Sequence, residues 1–137
     1  MTDTYKVVQV TEEEWNQLEK EERELREIRY QELVKENCKG IFKDSESLSA
    51  FFYILSHNET LYDAREDIYD FENTTIKENM DLEDWFSGSV KALLEIALNL
   101  FNPYESKADV HDTFIYLTQE KMEIAFHAIR IRTGYMN

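Results

Sequence analysis

Punctuation is what this chain lacks most. Its 137 residues include three glycines and one proline, the two residue types that break helices and shape tight turns. An all-β sandwich needs a turn about every ten residues, usually marked by Gly, Pro, Asn or Asp, so helices are favoured. A single cysteine, Cys38, excludes an internal disulfide and fits a reducing cytoplasm. Positive charge is scarce too: 15 Lys and Arg stand against 29 Asp and Glu, a formal net charge of −14. Nucleic acid is held by neutralising its phosphates with Lys and Arg, so neither direct nucleic-acid binding nor an anionic membrane is expected. The longest apolar run, "ALLEIALNLF", is too short to span a bilayer and is interrupted by Glu95 and Asn99. The start, "MTDTYKVVQV", has no basic region followed by an apolar stretch, so no signal peptide is expected. A cytoplasmic location and a basic protein partner follow as expectations.

What is present suits one compact, all-α domain spanning residues 1–137. "YKVVQV" is β-prone and suits a short N-terminal edge strand or an extended arm. Thr11 then opens a long charged helix over 11–37, with Glu14 completing a capping box and Val10 and Trp15 placed as a hydrophobic staple. Apolar residues are sparse along it, and Glu19–Arg23 and Glu22–Arg26 have i,i+4 spacing. This helix is expected at the periphery of a helical core over 41–137. Leu18 and Leu25 lie seven apart, so a homodimer through this helix, with a scaffolding role, is one alternative; Glu22 and Arg29 interrupt the heptad.

A second helix begins near Asp44 or Ser45, with Leu48, Phe51, Phe52 and Leu55 on its core face. A third, capped by Asn58 or Thr60, carries Leu61, Ala64, Ile68 and Phe71 on its apolar stripe. Ser87 caps a fourth over 89–102, apolar on nearly all sides and therefore expected at the centre of the domain. Asn102–Pro103 ends it. Thr118 caps the last helix, where Met122, Ala125, Phe126 and Ile129 face inward and Arg130 and Arg132 suit the C-terminal dipole. The expected fold is about five helices around the 89–102 helix.

The acidic excess is uneven. Asp44 to Asp84 holds twelve acids and two bases, whereas Trp85 to Asn137 holds six acids and five bases. On the third helix Asp63, Glu66, Asp67 and Asp70 recur at i, i+3, i+4 and i+7 and so share one surface. Glu59 joins them, and Tyr62 and Tyr69 border the face. Like charges four apart cost a few tenths of a kcal/mol per pair, which is tolerable beside a buried core. Such a wall accepts guanidinium groups bidentately, and tyrosines add rigid contact area. The reading is a non-enzymatic acidic protein–protein interaction module whose partner-binding residues are Glu59, Tyr62, Asp63, Glu66, Asp67, Tyr69 and Asp70, with no cofactor and no metal. The bland alternative is a solvated helix face. A rival from another class is a Mg²⁺- or Mn²⁺-dependent hydrolase using the same carboxylates, joined by Asp81, Glu83 or Asp84. Bundled carboxylate metal sites add Glu-x-x-His pairs, and none occurs here.

Other chemistry has little footing. His57, His111 and His127 form no HxxxH or HExxH pair. His57 reads as a helix-end residue and His127 as a structural histidine near the core. Cys38 beside Lys39 is expected to have a slightly lowered pKa. "FSGSV" is not a nucleophile elbow, and the glycines at 40, 88 and 134 are isolated, so no phosphate-binding loop is read.

The segments "AFFYILSHNETLYDAREDIYDFENTTIK", "ALLEIALNLFNPY" and "YLTQEKMEIAFHAIRIR" resemble DUF6075, a family of small bacterial and phage proteins of unknown function, over about residues 41–133. The resemblance implies a bacterial or phage source and one helical domain, leaves the 11–37 helix outside the shared part, and brings no catalytic residues. With a phage source, the sharper expectation is an inhibitor of a basic nucleic-acid-handling defence protein, occupying its channel in imitation of phosphate.

Overall fold

A computed structural model of the chain describes residues 11–77, 86–104 and 109–134. The expected N-terminal strand and Val10 of the staple lie outside the described residues. Thr11 is extended and its Oγ1 accepts the Glu14 N–H at 3.1 Å, and α1 runs from there over Glu12–Asn37. At its end the Asn37 side-chain amide donates to Leu33 O at 2.8 Å, and Gly40 takes a positive φ of 60° to open a 3₁₀ turn over Gly40–Phe42. A helix of this length spans about 39 Å, yet only its second half docks. Every residue from Thr11 to Leu25 is exposed, whereas Tyr30 and Leu33 are buried. The first half of α1 projects from the body, with Trp15 56 % exposed.

Helix α2, Glu46–His57, is capped by Ser45, whose Oγ accepts the Leu48 N–H. Six of its hydrophobic residues and Ser56 are buried, including the adjacent Phe51 and Phe52. After it come α3 (Glu59–Asp63), α4 (Arg65–Ile68), strands β1 (Tyr69–Asp70) and β2 (Thr75–Ile76), then α5 (Gly88–Phe101), α6 (Val110–Phe114) and α7 (Gln119–Arg132). Helix α2 packs against α1, α3, α5 and α7, so it occupies the centre expected for the 89–102 helix. The physical reason is that α2 buries Leu48, Ala50, Phe51, Phe52, Ile54 and Leu55 on one broad face, while α5 keeps Glu95 exposed and Leu98, Leu100 and Phe101 only partly covered. Helix α5 is still part of the core through Val90, Leu93, Leu94, Ile96 and Ala97. The domain is mostly α-helical around one hydrophobic cluster.

The third predicted helix is not continuous. Ala64 leaves helical geometry at φ −94°, ψ 9°, and the Arg65 guanidinium donates to Tyr62 O at 2.8 Å across the break. After α4 the chain extends, and Tyr69 and Asp70 pair antiparallel with Ile76 and Thr75. Asp70 accepts the N–H groups of Glu72 and Asn73 at 3.1 Å and the Asn73 amide at 2.8 Å, while Thr74 has φ +54°. Side-chain capture of backbone N–H groups by Asp and Asn competes with helix, and here it wins. The change to extended backbone buries the consecutive Ile68 and Tyr69. Tyr69 lies within an aromatic cluster, its ring centroid 5.0–6.4 Å from those of Phe51, Phe52, Phe71 and Phe101.

At the far side Asp109 caps α6 by accepting the Asp112 N–H at 2.7 Å, and Thr118 caps α7. Arg132 Nε donates to Leu100 O at 2.9 Å, so this arginine ties α7 to the end of α5 in addition to facing its own helix dipole. The packing makes a direct prediction. Phe51→Ala should cost about 3–5 kcal/mol and lower the thermal midpoint by roughly 10 °C or more, whereas Leu18→Ala on the projecting half of α1 should change stability by less than about 0.5 kcal/mol; thermal and urea unfolding measure both.

Candidate functional site

The acidic surface is assembled from two short helices and a turn. Asp63 ends α3, Glu66 and Asp67 lie on α4, and all three are exposed, with no ion pair among the described residues. The outer members of the predicted set have internal duties. Glu59 takes a two-pronged contact from Arg29 of α1, at 2.6 and 3.4 Å, and that hydrogen bond holds its carboxyl below the usual carboxylate range. Asp70 is likewise lowered, first by the Asn73 side-chain amide and then by the turn N–H groups. Tyr62 carries two guanidinium groups on its ring, Arg29 at 4.4 Å and Arg65 at 4.0 Å from the centroid, a cation–π arrangement that fixes it beside the carboxylates. Tyr69 is a correction: it is 0 % exposed and belongs to the core. The helix break at Ala64 turns it inward, so it cannot border any surface.

Of the predicted set, Asp63, Glu66 and Asp67 are the carboxylates left exposed without an internal partner among the described residues, while Glu59 is held by Arg29 and Asp70 by its own turn. No three His, Cys, Asp or Glu residues converge as a metal-binding group among the described residues. Asp81, Glu83 and Asp84 lie outside the described residues. His111 sits on the surface beside Asp112, 3.0 Å away. Cys38 is half-buried near Ser49, and burial pushes its thiol up, the opposite of the effect expected from Lys39. An inert thiol follows.

A second cluster escaped the sequence reading. The Tyr53 ring stacks on His57 at 3.8 Å and on His127 at 4.3 Å, and Tyr30 of α1 meets Tyr53 edge-on at 5.3 Å. His57 Nδ1 is 2.9 Å from Tyr53 O and 3.0 Å from Ser56 Oγ. A carbonyl only accepts, so Nδ1 carries the proton and Nε2 is left as an acceptor. That Nε2 faces the Glu27 carboxylate at 4.0 Å, a pair that becomes attractive only when the ring is charged. Burial lowers the His57 pKa to about 4 against the weaker pull of Tyr53 O and Glu27, and it also lowers His127. Burial pushes Tyr53 up to about 12. The stack joins α1, α2 and α7 in its neutral form, and a cleft of about 460 Å³ beside it is lined by Lys20, Arg23, Arg26, Glu27, Tyr53 and His57. The only sequence signal was the i,i+4 spacing of Tyr53 and His57; His127 comes from 70 residues away.

With the geometry placed, the chain matches a family of unknown function, DUF6075, over residues 18–135. It belongs to that family. No curated protein and no solved structure matches it. The DUF6075 match takes in α1 from Leu18 onward, which corrects the expectation that this helix is an addition outside the shared part. The reason is visible in the fold: Arg29 and Tyr30 of α1 are needed to brace Glu59 and to close the Tyr53–His57 stack. Among the described residues no helix is long and apolar enough to cross a membrane.

Two predictions follow for this DUF6075 member. The folded pKa of His57 lies below its unfolded value, so the unfolded chain binds the proton more tightly between these values. Stability from this residue is present above about pH 6.5 and is lost as pH falls toward about 4. Discounted for partial exposure, the loss is about 2 kcal/mol; His57→Gln should flatten that portion of the pH–stability curve measured by urea unfolding. Tyr69 Oη is buried without a hydrogen-bond partner among the described residues. Tyr69→Phe removes that orphan group and should leave stability unchanged or raise it by about 1 kcal/mol, read as a shift in the urea midpoint.

Proposed function

We propose that this protein is a non-enzymatic interaction module that docks a cationic protein surface on the Asp63–Glu66–Asp67 wall. The observation that carries the reading is the division of labour among the carboxylates. Glu59 and Asp70 are bound internally, whereas the three between them project into solvent beside a tyrosine held rigid by two arginines. A rigid edge loses little side-chain entropy on binding, and charge-assisted hydrogen bonds to arginine add direction. The overall charge of −14 steers a basic partner toward the molecule. The finer form of the proposal is a phage-encoded inhibitor: the wall occupies the nucleic-acid channel of a host defence protein, where its carboxylates stand in for phosphates.

The test separates the wall from bulk charge. Asp63→Lys/Glu66→Lys/Asp67→Lys should weaken binding of an Arg-rich peptide at least tenfold in titration calorimetry. Glu12→Lys/Glu13→Lys/Glu14→Lys, equal in net charge but on the projecting end of α1, should weaken it only a few-fold. Equal losses in the two variants reject the wall as a site. Raised salt should weaken the wild-type complex, because exposed charges are screened beyond about 8–10 Å. For the finer form, the wild type should displace DNA from a basic nucleic-acid-binding protein and the wall variant should not.

A further inference from the structure

We infer that a second copy of this chain docks against the outer face of α7 and the neighbouring α6, forming a two-fold dimer. The face is apolar at its centre: Val110 is 76 %, Ile115 67 %, Tyr116 64 % and Phe126 50 % exposed. These residues are physically linked, since Val110 and Phe114 lie i,i+4 on α6, the Phe114 ring stacks on Phe126 at 5.8 Å, and Ile115 and Tyr116 follow directly. Together they form an exposed apolar patch, and contiguous apolar patches on a surface mark interaction sites. Beside them an apolar groove of about 240 Å³ runs between α5, α6 and α7, lined by Ile96, Leu100, Phe114 and Ile129 with Asn99 and Asp109 at its rim. A cavity of about 150 Å³ already accepts a benzene ring, so the groove suits one aromatic side chain.

Charge selects the occupant. Residues from Trp85 onward carry six acids and five bases, so nearly all of the −14 lies elsewhere in the chain. This is the region where two copies of so acidic a molecule can meet without strong mutual repulsion. The α7 stripe is also complementary to itself. Glu123, Phe126 and Arg130 are exposed at i, i+3 and i+7, and neither Glu123 nor Arg130 has an ion-pair partner among the described residues. Two α7 helices crossing antiparallel at Phe126 set Glu123 of each against Arg130 of the other, as an isologous interface requires. The same crossing carries Tyr116, just ahead of α7, toward the C-terminal half of the opposite α7, where Ile129 lines the groove. The acidic wall on α3 and α4 takes no part, so each dimer presents two walls.

Sedimentation equilibrium of the full chain tests this. The wild type should pass from 16.4 kDa to twice that mass as concentration rises through the micromolar range. Phe126→Lys should hold it at the monomer mass. Arg130→Glu should weaken dimerisation about tenfold by opposing like charges, and the swapped pair Glu123→Arg/Arg130→Glu should restore it. Leu18→Lys/Leu25→Lys on α1 should leave the dimer intact. A wild type that stays monomeric to about 1 mM overturns the inference, as does loss of the dimer in the α1 variant instead of Phe126→Lys. Failure of the swap to restore association rules out the antiparallel crossing, and circular dichroism melting confirms that each variant is folded.

Discussion

Helix α2 carries seven buried residues in twelve, more than any other helix among the described residues. Leu48, Phe51, Phe52, Ile54 and Leu55 spread over nearly half of its circumference and are fully buried, so each must be covered. Burying side chains of this size contributes about 1.5–3 kcal/mol apiece, which outweighs the helix propensities of the shorter segments. The rest of the molecule follows from that demand. The second half of α1 covers one side, α5 and α7 cover two others, and the chain after Ile68 leaves helical geometry so that Tyr69 and Phe71 can close the remaining aromatic gap.

This arrangement sorts the charges by where they can reach solvent. The α3–α4 segment lies on the outside of the aromatic cluster, so its carboxylates face outward while Leu61, Ala64 and Ile68 face in. Arg29 and Arg65 hold the edge of that surface rigid without neutralising its middle. The near-neutral C-terminal third differs in that exposed Val110, Ile115, Tyr116 and Phe126 stand among a near balance of acids and bases.

Much of the local structure was legible. Thr11, Ser87 and Thr118 each cap a helix through a side-chain oxygen, as the sequence indicated, and of the alternatives it left open the structure uses Ser45 and Asn58. Caps are readable because they depend on one residue and the three that follow it. The third helix was misread beyond Ala64 because its apolar spacing fits a helix, while the competing interaction, Asp70 with the amides of Glu72 and Asn73, exists only once the turn has formed. The choice of central helix was misread because α2 and α5 are both richly apolar, and composition does not say which one is surrounded. The site was legible in its charge and not in its geometry: Asp63, Glu66 and Asp67 project, whereas Tyr69 is buried and Glu59 and Asp70 are occupied.

By itself the sequence determined that this would be a helical protein with a strongly negative surface, since few turn residues and a large acidic excess leave little else open. Only the tertiary structure decided which carboxylates are free, which tyrosine is exposed and that two distant histidines share one tyrosine ring. Those outcomes draw on contacts between residues 30 to 94 positions apart, and such contacts leave no periodic trace along the chain.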